Sequence, residues 1–295
     1  MRGANAIAGA LSRRPDRPSR HESFLAYRHY RYLGAAVLLV AASVALYVLD
    51  RPFGARYGGT WAGYTLGTIG AALIVWLTWF GYRKRSYART EGRLVGRLSA
   101  HVYFGLAVLV IATLHTGFHF GWNVHTLAYG LMCVAIASGV VGVFCYVRYP
   151  RLMTDNRAGM TLQQMLASIA TLDEQLRVAA LPLDETAATV IERAIETSAI
   201  GGSAWRQMTR YYPRCTTAAA LAHFEVGADE VAPTLEDTWS QIRVYLEEKS
   251  SLLSRVRRDI SYKAMLDFWL YFHVPVSIML LMALFVHIVS VFFLW

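Results

Sequence analysis

Cysteine is scarce in this 295-residue chain: Cys133, Cys145 and Cys215 are the whole complement, with no CxxC or CxxCH spacing. A disulfide framework, a thiolate-held iron–sulfur cluster and a covalently attached c-type haem are therefore excluded within these residues. Charge is scarce too, at 17% of residues against 55% hydrophobic and 13% aromatic. So apolar a composition reads as a membrane protein rather than as two soluble domains. The most polar part, residues 148–267, has neither GxxxxGK[ST] nor GxGxxG, so nothing there points to ATP, NAD or FAD. A net charge of +9 raises a nucleic-acid reading, which its distribution removes. Residues 148–267 hold fourteen basic and sixteen acidic side chains, and the rest of the chain holds fifteen basic and four acidic. The excess lies beside the apolar stretches.

Five stretches, near residues 33–49, 60–82, 98–120, 124–147 and 268–294, contain no Asp, Glu, Lys or Arg. Each approaches the roughly 20 apolar helical residues that a hydrocarbon core about 30 Å thick demands. The expected fold class is all-α: an integral membrane helical bundle with five transmembrane helices and a helical cytoplasmic domain inserted between helices four and five. The domains read as a basic arm over 1–32, transmembrane helices one to four over 33–147, the cytoplasmic domain over 148–267 and the fifth transmembrane helix over 268–295.

Basic residues orient the bundle. Seven lie in the arm, six between the second and third stretches and fourteen in the fourth connection, whereas the first connection has only Arg51 and Arg56 and the third has none. By the positive-inside rule the arm and residues 148–267 face the cytoplasm, and Trp295 lies across a bacterial-type inner membrane. Ala6 to Leu11 is too short an apolar run for a signal peptide, so the arm reads as a basic tail near anionic lipid. Within 148–267, helical patterns cover 162–180, 185–198 and 235–264, broken by Gly201-Gly202 and Pro213. Leu162, Met165, Leu166, Ile169, Leu172 and Leu176 share one apolar face.

Of nine histidines, four stand inside the apolar stretches at one repeated interval: His101 and His115 are fourteen apart on the third, His273 and His287 fourteen apart on the fifth. Fourteen helical steps return to within about 40° of the starting direction and climb about 21 Å. The two helices run parallel, so His101 matches the depth of His273 and His115 that of His287. Imidazole can hold haem iron from both sides, and a haem plate fits between helices where small residues relieve crowding. Gly59, Gly63 and Gly67 on the second stretch and Gly139 and Gly142 on the fourth are such residues, although ordinary close helix packing uses the same spacing. A single membrane histidine is commonly an interhelical hydrogen-bond partner, a reading that four at matched intervals strain.

His119, eighteen residues from His101, rivals His115 on the same face, one turn further out. With His125, Trp122 and Asn123 it could instead line a quinone pocket, stabilise a haem propionate or sit at the membrane interface. Arg97 and Lys263, with Arg93 or Arg258 nearby, are placed for propionates on the cytoplasmic side, and Arg51 or Arg56 are weaker candidates on the other. His21, His29 and His223 lie in polar segments and read as solvated.

The pattern His101/His115 and His273/His287 resembles the di-haem membrane cytochromes b. Two branches fit: the N-terminal helical half of the cytochrome b of bc-type quinol-oxidising complexes, whose second and fourth helices supply paired histidines, and the transmembrane domain of ferric reductases and NADPH oxidases, whose third and fifth helices do so. The resemblance covers about residues 60–147 and 268–294 and rests on spacing and topology. A PEWY-like quinol-oxidation motif, helices beyond Trp295 and a flavin or nicotinamide domain are not in this sequence, and the insertion between the fourth and fifth helices is typical of neither branch.

The expectation is a di-haem b-type cytochrome subunit carrying electrons across the membrane between a quinone pool or redox partner and another redox subunit. Two non-covalent b-type haems are expected, with His101 and His273 on the cytoplasmic-side iron and His115 and His287 on the outer one. Membrane lipid and a partner carrying flavin, iron–sulfur or cytochrome centres are expected, and nucleic acid is not. No catalytic residue is assigned, since bis-imidazole iron has no open position. One alternative is a divalent-metal transporter using intramembrane histidines, against which stands the lack of carboxylates in the crossings. Another is a membrane-tethered signalling or scaffold protein centred on residues 148–267, which leaves the four histidines unexplained.

Overall fold

The computed structural model of the chain describes residues 24–50, 58–84, 91–226 and 232–293. Among them every regular element is a helix. A short 3-10 turn, Phe24–Ala26, leads into α1 (Tyr27–Leu49), α2 (Trp61–Lys84), α3 (Glu91–Thr116) and α4 (Val124–Arg157). Then come α5 (Leu162–Ala180), α6 (Glu185–Glu196), α7 (Ala204–Thr209), α8 (Thr217–Val226) and α9 (Glu236–Phe293). Five of these, α1 to α4 and α9, are long and apolar enough to cross a membrane. All three cysteines are free thiols.

The chain divides into two compact units, Met1–Ala137 with Val274–Trp295, and Ser138–His273. The divisions fall inside α4 and α9. The 58-residue α9 merges the expected helix over 235–264 with the apolar stretch over 268–294. Between these, Met265, Leu266 and Asp267 include no Gly or Pro, so composition changes there with nothing to break the backbone. Pro275 also lies inside α9. It removes one backbone donor from the helix ladder, a loss that neighbouring helices tolerate in an apolar bundle.

In the first unit two buried clusters join the helices. One unites Ala36 of α1 with Leu66 of α2 and Ala107 and Ile111 of α3. The other unites Ile74 of α2, Val108 of α3, Met132 and Ala135 of α4, and Val276, Leu280 and Leu284 of α9. Helix ends are signalled locally: the Thr60 hydroxyl accepts from Gly63 N at 3.0 Å and Asn123 Oδ1 accepts from Thr126 N at 3.0 Å, capping α2 and α4. Gly117 and Phe118, with φ of 57° and 64°, end α3.

In the second unit, α5 occupies the 162–180 span expected from its pattern, with Met165, Ile169, Leu172 and Leu176 buried. Leu166 lies off that face, 37% exposed. Leu176 joins Ile191, Ala194, Phe224, Ile242 and Leu246 in one core, and Met165, Ile169 and Leu172 pack with Leu252, Leu253 and Val256 of α9 in another. The Gly201-Gly202 break has φ of 87° and 99°, values that favour glycine.

Candidate functional site

The site is built on the two faces that carry the histidines. On α3, Val108 lies midway between His101 and His115, and on α9 Leu280 lies midway between His273 and His287. Both midpoints belong to the same buried cluster. Helical periodicity thus turns each histidine-bearing face inward, since residues seven apart share a face.

At one end of this face the first unit brings three imidazoles together. The rings of His115 and His287 are 6.0 Å apart between centroids and nearly perpendicular, at 88°. His125, in the first turn of α4, stands 4.4 Å from the His287 ring, and the Nδ1 atoms of these two residues are hydrogen-bonded. The ring of His115 is fixed by the Gly63 carbonyl, 2.7 Å from its Nδ1. That geometry puts a hydrogen on Nδ1, which donates to the carbonyl, and leaves Nε2 with a free lone pair.

Glycine makes room for this ring. A Cβ on Gly67 would lie 2.7 Å from His115 Cε1, and one on Gly58 would lie 3.2 Å from it. The His115 imidazole therefore sits in a glycine cradle formed by Gly58, Gly63 and Gly67. Of the three glycines singled out by small-residue spacing on the second stretch, Gly59 precedes α2, Gly63 contributes its carbonyl and Gly67 its missing side chain.

His273 has its own support inside the second unit. Its Nδ1 is 2.7 Å from the Ser138 hydroxyl, and its ring stacks on Trp269 at 5.3 Å and 24°. The Trp269 indole N–H donates to the Ser138 carbonyl at 2.7 Å, so one serine anchors both rings. A Cβ on Gly139 would meet His273 at 3.6 Å, and one on Gly142 would overlap the indole. His101 is half-buried on α3 beside buried Ser99 and Ala100. It belongs to the first unit and His273 to the second.

The remaining expected residues divide. Because α3 ends at Thr116, His119 lies beyond the helix, exposed, with Nδ1 2.8 Å from its own loop's Gly117 carbonyl, so helical periodicity from His101 does not reach it. Arg97 is half-buried one turn before His101, and Lys263 is exposed on α9. Arg258 is half-buried, with Nη2 3.5 Å from the Ser254 hydroxyl. His223 is exposed beside Trp239, and His21, Arg51 and Arg56 lie outside the described residues. Ser138, Trp269, Gly58 and the His125–His287 pairing were not expected as supports. Position 125 was visible as a histidine, but nothing in local sequence ties it to a residue 162 positions away.

Two metal–imidazole bonds of about 2 Å each put the paired ring centroids roughly 6 Å apart, the spacing His115 and His287 have. The glycine cradle and the carbonyl-held Nδ1 fit the same use, because a ligating imidazole ordinarily hands its other nitrogen to an acceptor. Among the described residues no group of three or more His, Cys, Asp or Glu side chains is placed to hold a bare metal ion. Bis-imidazole haem needs only two protein ligands. No protein-family model, curated protein or solved structure matches this chain.

Proposed function

We propose that this chain is a di-haem b-type cytochrome subunit of an inner membrane, passing electrons between a quinone pool or redox partner and another redox subunit. The observation that carries it is the His115–His287 pair, at bis-imidazole spacing and with the His115 Nδ1 tied to a backbone carbonyl. Haem held there supplies one-electron exchange between ferric and ferrous iron. The protein's residues would supply the ligands and their orientation, on helices that also bury Ile74, Val108, Met132, Leu280 and Leu284 in one apolar cluster. His101 and His273 are the ligands of a second, cytoplasmic-side haem, with Arg97 and Lys263 as its propionate partners, and His119 is left for an interfacial or quinone-side role. In this reading the arm and residues 148–267 are cytoplasmic and the C-terminal end of α9 lies on the other side. A partner with flavin, iron–sulfur or cytochrome centres docks on the chain.

The test is direct. Protein purified from membranes should show a reduced-minus-oxidised b-type spectrum with two haems per chain. A haem-free preparation from cells able to make haem would end the proposal.

A further inference from the structure

We infer that His125 is a positioning residue for His287, holding that ring in the tautomer and orientation in which its Nε2 serves as a ligand. The inference rests on the di-haem reading and goes beyond it by assigning a role to a histidine outside the two fourteen-residue pairs.

The argument begins with proton counting. Two neutral imidazoles joined through their Nδ1 atoms must differ: one Nδ1 carries the hydrogen and the other accepts it. A histidine that ligates through Nε2 keeps its hydrogen on Nδ1. His287 is then the donor, His125 the acceptor, and His125 carries its own proton on Nε2. The two members of the ligand pair thereby receive equivalent supports, a backbone carbonyl from Gly63 for His115 and a side-chain nitrogen from His125 for His287. Such supports orient the ligand and raise its basicity.

His125 is itself well placed to act this way. It occupies the first turn of α4, whose start is fixed by Asn123 through Thr126 N to Asn123 Oδ1 at 3.0 Å and Leu127 N to Asn123 O at 3.1 Å. The two ring planes are nearly perpendicular, at 89°, with centroids 4.4 Å apart, and the Nδ1 atoms face each other across the contact. The His125 ring is half-buried.

The experiment uses the full-length protein in membranes or detergent, as wild type, His125→Phe, His125→Asn and His287→Ala. Haem is counted per chain, the two midpoint potentials are titrated separately and low-spin ferric signals are recorded by electron paramagnetic resonance. His125→Phe keeps the ring volume without a nitrogen. It should retain two haems, shift the midpoint of the His115–His287 haem upward, alter that haem's signal and loosen its retention about ten-fold. The other haem stays put and reports that the protein is folded. His125→Asn, which restores a side-chain acceptor, should move the midpoint back toward wild type. An unmoved midpoint and signal in His125→Phe would overturn the inference. So would loss of one haem as complete as in His287→Ala, which would make His125 the ligand. If His125→Phe does not assemble, His125→Leu carries the same expectation and the same refutation. Wild type without haem would bring down the parent reading as well, whereas two haems in wild type with an indifferent His125→Phe would sink this inference alone.

Discussion

Helices α5 to α8, with the stretch of α9 they pack on, bury Leu176, Ile191, Phe224, Ile242 and Leu246 almost completely, while Leu38, Trp79, Phe285 and Phe292 of the first unit are 72%, 57%, 63% and 71% exposed. Charges inside the second unit are paired. The Lys249 ammonium, fully buried, meets Asp173 at 2.5 Å and the Ala194 carbonyl at 2.8 Å, and Arg157 grips buried Asp259 with two bonds of 2.7 and 2.8 Å. In the first unit the buried polar side chains are the small hydroxyls of Ser43 and Ser99, and the half-buried His115 and His287 find a glycine carbonyl and another histidine as partners. The two regions thus differ in how they handle charge: one pairs buried charges, and the other carries long uncharged helices apolar enough to cross a membrane. An apolar exterior of that extent belongs against lipid, where backbone polar groups must be satisfied within helices. The polar residues kept inside the apolar unit are, by that logic, the ones to ask about function.

The comparison can be broken by substitutions that act on one unit only. The largest expected effect is His287→Ala, which should remove one of the two haems, read as a halved b-type difference absorbance, and leave the thermal unfolding of the α5–α8 core unchanged. A full complement of haem in this variant would show that the imidazole interval serves packing. Next comes Lys249→Met. Removing one partner of a buried pair strands the other, at a cost of about 3 kcal/mol. Asp173 is partly exposed, with 20% of its side chain accessible, and can turn toward water, so the loss should fall at the lower end of the buried-pair range. Calorimetry of the second unit's transition measures it, with the His115–His287 haem retained. Smaller again is Gly67→Ala. Its new methyl would sit closer to His115 than real side chains approach, so the ring must shift off the Gly63 carbonyl. Retention of that haem should weaken about ten-fold. Retention equal to wild type would remove the glycine cradle from the argument.

What the sequence made legible follows the same division. The five long apolar helices were legible because hydrocarbon requires long uncharged runs. Val108 and Leu280, at the midpoints of the two intervals, lie in one buried cluster, as inward-turned faces require. The α5 core face was legible from its period, save Leu166, which sits one position off the buried stripe. Continuity of α9 was hidden, because a change from amphipathic to apolar composition mimics a boundary although no breaker stands at 265–267. The reach of α3 was misjudged at the other end, where Thr116 rather than Phe120 is last, and His119 left the helical face with it. The contacts of His125 with His287 and of Ser138 with His273 and Trp269 depend on which helices adjoin, and local spacing carries no record of that.

The smallest predicted effect tests whether the second unit behaves as a water-facing fold at all. Thr161 begins α5 with a reciprocal cap: its hydroxyl accepts from Gln164 N at 3.1 Å, and Gln164 Oε1 accepts from Thr161 N at 2.7 Å. In water the Gln164 N–H freed by Thr161→Ala finds solvent, so the cost should be about 1 kcal/mol, and Thr161→Ser should recover most of it. In hydrocarbon that N–H would have no alternative partner and the penalty would rise to several kcal/mol. Denaturant titration in detergent, comparing Thr161→Ala with Thr161→Ser, decides between those environments. A loss of several kcal/mol would place the start of α5 against lipid.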